Sequence, residues 1–191
     1  VTEINDNTFY GCTSLKSITL PQNVTSIGQN AFFNCTNLTS INIPAGVTEI
    51  NDNTFYGCTS LKSITLPQNV TYIGKNAFHD CTNLTSINIP TRVREIQEGT
   101  FYGCTSLDSI TLPQNVRYIS KNAFRNCTNL TSINIPTWVR EIQEGTFYGC
   151  TSLKSITLPQ DVRSICKDVF HGCTSLTSIT FPDSLKNIYE S

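Results

Sequence analysis

The sequence predicts a repeat solenoid of the α/β type, built by stacking copies of one short unit. Three observations predict it. The string from Val1 to Asn23 recurs unchanged from Val47 to Asn69. Further 23-residue copies begin at Val24, Val70, Val93, Val116, Val139 and Val162, and a partial ninth covers 185–191. Within every copy the apolar positions are fixed, and one copy alone has no way to bury them. No linker or change of composition interrupts the series, so residues 1–191 read as a single domain.

Each element follows from this pattern. In the first copy the fixed apolar residues are Val1, Ile4, Phe9, Cys12, Leu15, Ile18 and Leu20. Val1 to Ile4 reads as a short extended or turn segment. Asn7 to Cys12 reads as one helical turn, with Phe9 and Cys12 inward at i and i+3. Leu15, Ile18 and Leu20 suit a short strand with Ser17 and Thr19 facing out. Pro21 lacks an N–H and ends it. Stacking turns every position into a ladder. The phenylalanines from Phe9 to Phe170 become an aromatic spine, and the strands become one parallel sheet. A second period of 46 residues overlies the first, since alternate copies resemble each other most. Recent duplication of a two-repeat unit and deliberate consensus design both explain it.

With 13 basic and 14 acidic residues the chain is close to neutral, which gives no reason to expect nucleic acid or an acidic membrane as partner. No apolar run approaches the roughly 18–20 residues of a spanning helix, so no membrane insertion is expected of this segment. The absence of a leader and of an initiator Met suits a mature, excised or engineered segment.

The consensus VTxIxxxAFxxCxxLxSIxIP resembles the BspA-like class of leucine-rich repeats, copy by copy over the whole chain. The resemblance implies a leucine-rich-repeat arc with the LxxIxIP strands as a parallel sheet on its concave face. It also implies a secreted or cell-surface, adhesin-like protein that binds a protein or glycan ligand. The competing reading is a structural scaffold with no ligand of its own.

Nothing in the pattern suggests catalysis, which needs different groups converging in one pocket, whereas a repeat lays out rows of like groups. No cofactor is expected. Eight of the nine cysteines share one repeat position and read as buried free thiols acting as small apolar residues. Their ladder spacing of about 4.8 Å is too wide for disulfide geometry. Metal-ligand pairs such as C-x-x-C are absent, so no metal site is expected. Cys166 breaks the ladder and reads as an exposed thiol able to link two chains. His79 and His171 occupy a variable surface position shared with Phe33 and Arg125.

Two sets of residues are candidates for contact. One is the outward row of the strands: Lys16, Ser17, Thr19, Asn42, Lys62, Thr65, Asn88, Asp108, Thr111, Asn134, Lys154 and Thr157. It fits a shallow recognition surface and a merely solvated face equally well. The other appears where Thr2, Thr25, Thr48 and Thr71 give way to Arg94, Arg117, Arg140 and Arg163 at the same position. Glu95, Glu98, Glu141 and Glu144 join them. Neighbouring Arg and Glu suit pairing across copies on a self-neutralising face, yet Tyr118, Trp138 and Arg140 form the aromatic–arginine cluster best suited to a protein contact. The first copy carries no cap, so either upstream repeats or an end-to-end homodimer through it is expected.

Overall fold

The computed structural model describes residues 1–189 and is a parallel β-solenoid of about eight coils. Each coil carries two very short strands, because only two stretches per copy alternate inward and outward residues. A lateral row comprises β1 (Glu3–Ile4), β3 (Ser26–Ile27), β5 (Glu49–Ile50), β7 (Tyr72–Ile73), β9 (Glu95–Ile96), β11 (Tyr118–Ile119), β13 (Glu141–Ile142), β15 (Ser164–Ile165) and β17 (Asn187–Ile188). A principal row comprises β2 (Ser17–Thr19), β4 (Ser40–Asn42), β6 (Ser63–Ile64), β8 (Ser86–Ile87), β10 (Ser109–Ile110), β12 (Ser132–Ile133), β14 (Ser155–Thr157) and β16 (Ser178–Thr180).

All pairings are parallel and in repeat register, such as Ser17 with Ser40 and Glu95 with Tyr118. Instead of one continuous sheet, each row divides mostly into two-stranded units, β2–β4, β6–β8, β10–β12 and β14–β16 in the principal row. Single bridges, Asn42 to Thr65 and Asn88 to Thr111, link successive units. The 46-residue period is therefore visible in the hydrogen bonding. The partial ninth copy adds β17 to β15; its last two residues lie outside the described ones.

The expected helical turn does not form, and the α/β expectation gives way to an all-β solenoid. The reason lies in the backbone of Asn7 to Cys12. Asn7 and Gly11 have φ of 59° and 67°, and Asn30, Asn34, Gly57 and Asp80 repeat this left-handed conformation at the same two positions. Two left-handed residues four apart break any right-handed helix. Overlapping tight turns replace it. Tyr10 and Cys12 donate N–H bonds to the carbonyls of Asn7 and Phe9, each at 3.0 Å. The N–H groups between them, on Phe9 and Gly11, reach Ala31 and Phe33 of the next coil at 2.8 and 2.7 Å. The segment thus behaves as a third, irregular ladder.

The inward direction of Phe9 and Cys12 survives this change. Their equivalents from Phe32 to Phe147 and from Cys35 to Cys150 are fully buried. The spine runs unbroken from Phe9 to Phe170, with ring centroids 5.1 to 6.0 Å apart and nearly parallel planes. Each such pair is worth roughly 0.5–1.5 kcal/mol beyond its burial. Each ladder thiol from Cys35 to Cys173, Cys166 lying off the ladder, donates to the phenylalanine carbonyl of the preceding coil at 3.1–3.2 Å. Burial pushes these ladder thiols above their usual range, to about 11 for Cys35 and Cys173 and further for those between them. Thr54, Thr100 and Thr146 are buried, and each hydroxyl donates to the carbonyl three residues earlier.

Candidate functional site

The principal row presents its predicted residues as expected: Lys16, Ser17, Thr19, Asn42, Lys62, Thr65, Asn88, Asp108, Thr111, Asn134, Lys154 and Thr157 are all exposed. The threonines between the charged positions have their hydroxyls engaged. Thr39, Thr85, Thr131 and Thr177 donate to the carbonyls of Lys16, Lys62, Asp108 and Lys154 at 3.1–3.3 Å. This face is a regular polar strip.

The lateral row is different. Its second half forms a groove of about 600 Å³ lined by Glu95, Arg117, Tyr118, Ser120, Trp138, Arg140, Glu141 and Gln143. Four of the six residues expected to form a lateral contact meet here: Arg117, Tyr118, Trp138 and Arg140. Arg94 lines an adjoining hollow of about 470 Å³ with Thr71, Thr91, Arg92 and Asn115. Arg163 lies beyond the groove, bonded to Arg140 by its backbone N–H at 2.8 Å.

Local sequence explains why the groove opens where it does. Tyr72, one period before Tyr118, is half-buried, and its hydroxyl donates to Asp52 at 3.1 Å. Burial, then that bond, pushes its phenol up to about 12. Before Tyr118 the position of Asp52 is taken by Glu98, whose longer side chain turns to Lys121 at 3.1 Å. Tyr118 is left without that anchor and is 64% exposed; Trp138, on the neighbouring turn, is 54% exposed. Exposed aromatic rings of this size beside arginines are the commonest makings of a binding hot spot.

The expected Arg–Glu pairing across copies does not occur. Among the described residues the ion pairs are Lys121 with Glu98 and Lys167 with Glu144 at 3.2 Å, and His79 Nδ1 lies 3.3 Å from Asp80, a pair that is charged only when the imidazole is protonated. The acidic residues of the groove are held by uncharged donors instead. Ser120 Oγ donates to Glu95 and Cys166 Sγ to Glu141, both at 3.1 Å. Cys166 is accordingly a half-buried thiol rather than the exposed one expected. Burial, then the Glu141 hydrogen bond, pushes it up to about 11.

One feature escaped sequence reasoning. Tyr10, Phe33, Tyr56, His79 and Tyr102 stack on the outside of the turns with centroids 4.3–4.6 Å apart. The stack continues through the Arg125 guanidinium, 3.8 Å from the Tyr148 ring centre and 5.9 Å from that of Tyr102. It ends with His171 on Tyr148 at 4.7 Å. The histidines are therefore members of a stack and not merely variable surface residues. Because the rings cover one another's faces, the stack braces the coils and offers a ligand mainly edges. The available signal was that one repeat position always holds a flat group.

Among the described residues no group of three or more His, Cys, Asp or Glu is placed to hold a metal ion, and no helix is long and apolar enough to cross a membrane.

Comparison with known proteins adds the following. A family model described as the BspA type leucine rich repeat region matches residues 1–104 and 72–191, in six copies. No curated protein matches the sequence. Among solved structures, a leucine-rich repeat protein of Bacteroides ovatus is 29% identical with a TM-score of 0.63, over 100% of this chain and 67% of that one. The leucine rich repeat protein of T. pallidum is 34% identical with a TM-score of 0.62, over 93% of this chain and 72% of that one. The pneumococcal vaccine antigen PcpA, 20% identical with a TM-score of 0.53 over 92% of this chain and 56% of that one, shares the fold.

Proposed function

Since the chain belongs to the BspA-type leucine-rich repeat family, we propose that it is a non-catalytic binding module of a secreted or cell-surface, adhesin-like protein. Residues 1–191 act in this reading as one leucine-rich-repeat domain that takes a protein or glycan ligand. The observation that carries it is the lateral groove, where Arg117, Tyr118, Trp138 and Arg140 gather around about 600 Å³. Trp, Tyr and Arg are the residues that most often anchor interfaces. Arg94 and Arg163 extend the contact to either side. The polar strip of the principal row is a secondary surface, suited to weak or multivalent contacts.

The test is biolayer interferometry of the intact chain against a panel of extracellular proteins and glycans. Arg117→Ala/Trp138→Ala/Arg140→Ala serves as the comparison. All three side chains are exposed, so the variant keeps its fold. The expected result is saturable binding to at least one member, weakened about tenfold or more by the substitutions. Equal binding by both chains would remove the groove from the contact.

A second reading is favoured by the unchanged recurrence of Val1 to Asn23 as Val47 to Asn69: a duplicated or designed scaffold with no ligand, for which nothing on the panel saturates. End-to-end pairing through the first coil is a further proposal. There Phe9, Cys12 and Leu15 are only half-buried, unlike their equivalents in the middle coils. A strict monomer in sedimentation at high concentration would count against it.

A further inference from the structure

We propose that the lateral groove binds a linear acidic polysaccharide, read by a column of cations with one charge per coil. The inference rests on the binding reading above and names the ligand class for the same face.

Arg94, Arg117, Arg140, Arg163 and Lys186 occupy one repeat position in five successive coils. Backbone bonds of 2.8 Å join Arg117 to Arg94, Arg163 to Arg140 and Lys186 to Arg163, so the column is held in register on either side of the step from Arg117 to Arg140. At the parallel-strand spacing of about 4.8 Å it extends over about 19 Å. All five side chains are exposed, and among the described residues none has a carboxylate within 4.0 Å. Like charges directly opposite each other in a ladder destabilise it. A row of five without internal partners is therefore completed by an anion with matching repeat.

The spacing selects among polyanions. An extended acidic peptide places same-side residues about 6.8 Å apart, out of step with the coils. A sugar ring is close to one coil in length and successive rings turn over, so a chain with one acid group per ring sets its same-side acid groups against every second cation of the column. The groove walls argue for sugar as well. Glu95 and Glu141 would repel a ligand whose every polar group was anionic, but they accept neutral hydrogen-bond donors, as they already do the Ser120 hydroxyl and the Cys166 thiol. Gln143 adds a neutral donor and acceptor. Trp138 and Tyr118 supply flat apolar surface for the C–H face of a ring. Cations for acid groups, acceptors for hydroxyls and aromatic faces for ring carbons together describe an acidic sugar.

The probes are polygalacturonate, charged by carboxylates alone, and iota-carrageenan, charged by sulfates alone, with neutral galactan and poly-L-glutamate as controls. Calorimetric titration should show at least one acidic polysaccharide bound and the neutral galactan not. Affinity should fall steeply between about 50 and 200 mM salt, as phosphate-tracking contacts do. Arg117→Ala/Arg140→Ala should cost about tenfold or more. Arg117→Lys/Arg140→Lys should keep most of the salt dependence, and Trp138→Ala should weaken binding with the salt dependence unchanged. The inference is overturned if neutral galactan or poly-L-glutamate binds as tightly as the acidic polysaccharides, or if the alanine pair changes nothing. If no polysaccharide binds while a protein from the panel is still lost on substituting the groove, the polysaccharide inference alone fails. If neither occurs, the binding reading fails with it.

Discussion

Substituting Gly103 tests the left-handed turns and the 46-residue period together. Gly103 has φ of 69°, and an added Cβ would run into the Asp80 carboxylate of the preceding coil. The same holds for Gly57 against Asn34 and Gly149 against Asn126. Glycine and Asn or Asp therefore alternate because one side chain lies where the next coil's Cβ would be. Gly103→Ala carries two costs. Holding a Cβ in the left-handed region costs roughly 1–2 kcal/mol. Pushing Asp80 out of its rotamer costs roughly 0.5–1.5 kcal/mol more. Asp80→Gly removes the second cost and leaves the first. Urea unfolding of the four chains of the double-mutant cycle should thus show the pair destabilised by about 0.5–1.5 kcal/mol less than the sum of the single variants. Gly172→Ala is the control. Its φ is 73°, but the nearest atoms lie 3.5 Å away on Gly149, so only the backbone cost applies. Additive effects in the cycle would refute the steric account of the alternation. A Gly103→Ala variant as stable as the parent would refute the left-handed turn itself.

Three other outcomes are expected. Phe101→Ala, in the middle of the buried spine, should destabilise by roughly 3–5 kcal/mol in the same unfolding assay. His79 packs between Tyr56 and Tyr102, and that burial lowers its pKa below the usual 6.5, with Asp80 opposing. The unfolded chain then binds more protons, so the contribution is present above about 6.5 and is lost as pH falls below it; His79→Phe should flatten that part of the stability-against-pH curve. Cys166, held protonated by burial and by Glu141, should react slowly with a disulfide reagent at pH 8, and Glu141→Gln should speed it by removing the negative charge beside the thiol.

How much of this was legible in the sequence depended on which residues carried it. The spine and the strands were readable because Phe9, Ile18 and their equivalents recur at fixed spacing and burial follows periodicity. The turns were misread because Phe9 and Cys12 sit three apart, a spacing that a helix and a series of tight turns share. Asn7 and Gly11, with Asn, Asp or Gly in every copy, held the deciding signal. The outer stack was hidden because Tyr, Phe, His and Arg are chemically unlike while sharing a flat shape. Within the groove, Trp138, Tyr118 and the arginines stood out by breaking the repeat. Of its walls, Glu95 and Glu141 were readable as part of the same change, but Ser120 and Gln143 were not, since they come from different coils and meet the rest only through stacking. The pairing of Arg with Glu failed because Ser120 and Lys121 reach the acidic groups first.

The central claim is that this chain works by binding, through the lateral groove of its second half. The most direct measurement compares the affinity of the intact chain and of Arg117→Ala/Trp138→Ala/Arg140→Ala for the same captured protein or glycan. The account predicts a loss of about tenfold or more with unfolding midpoints unchanged. Equal affinities, or no saturable ligand for either chain, would contradict it.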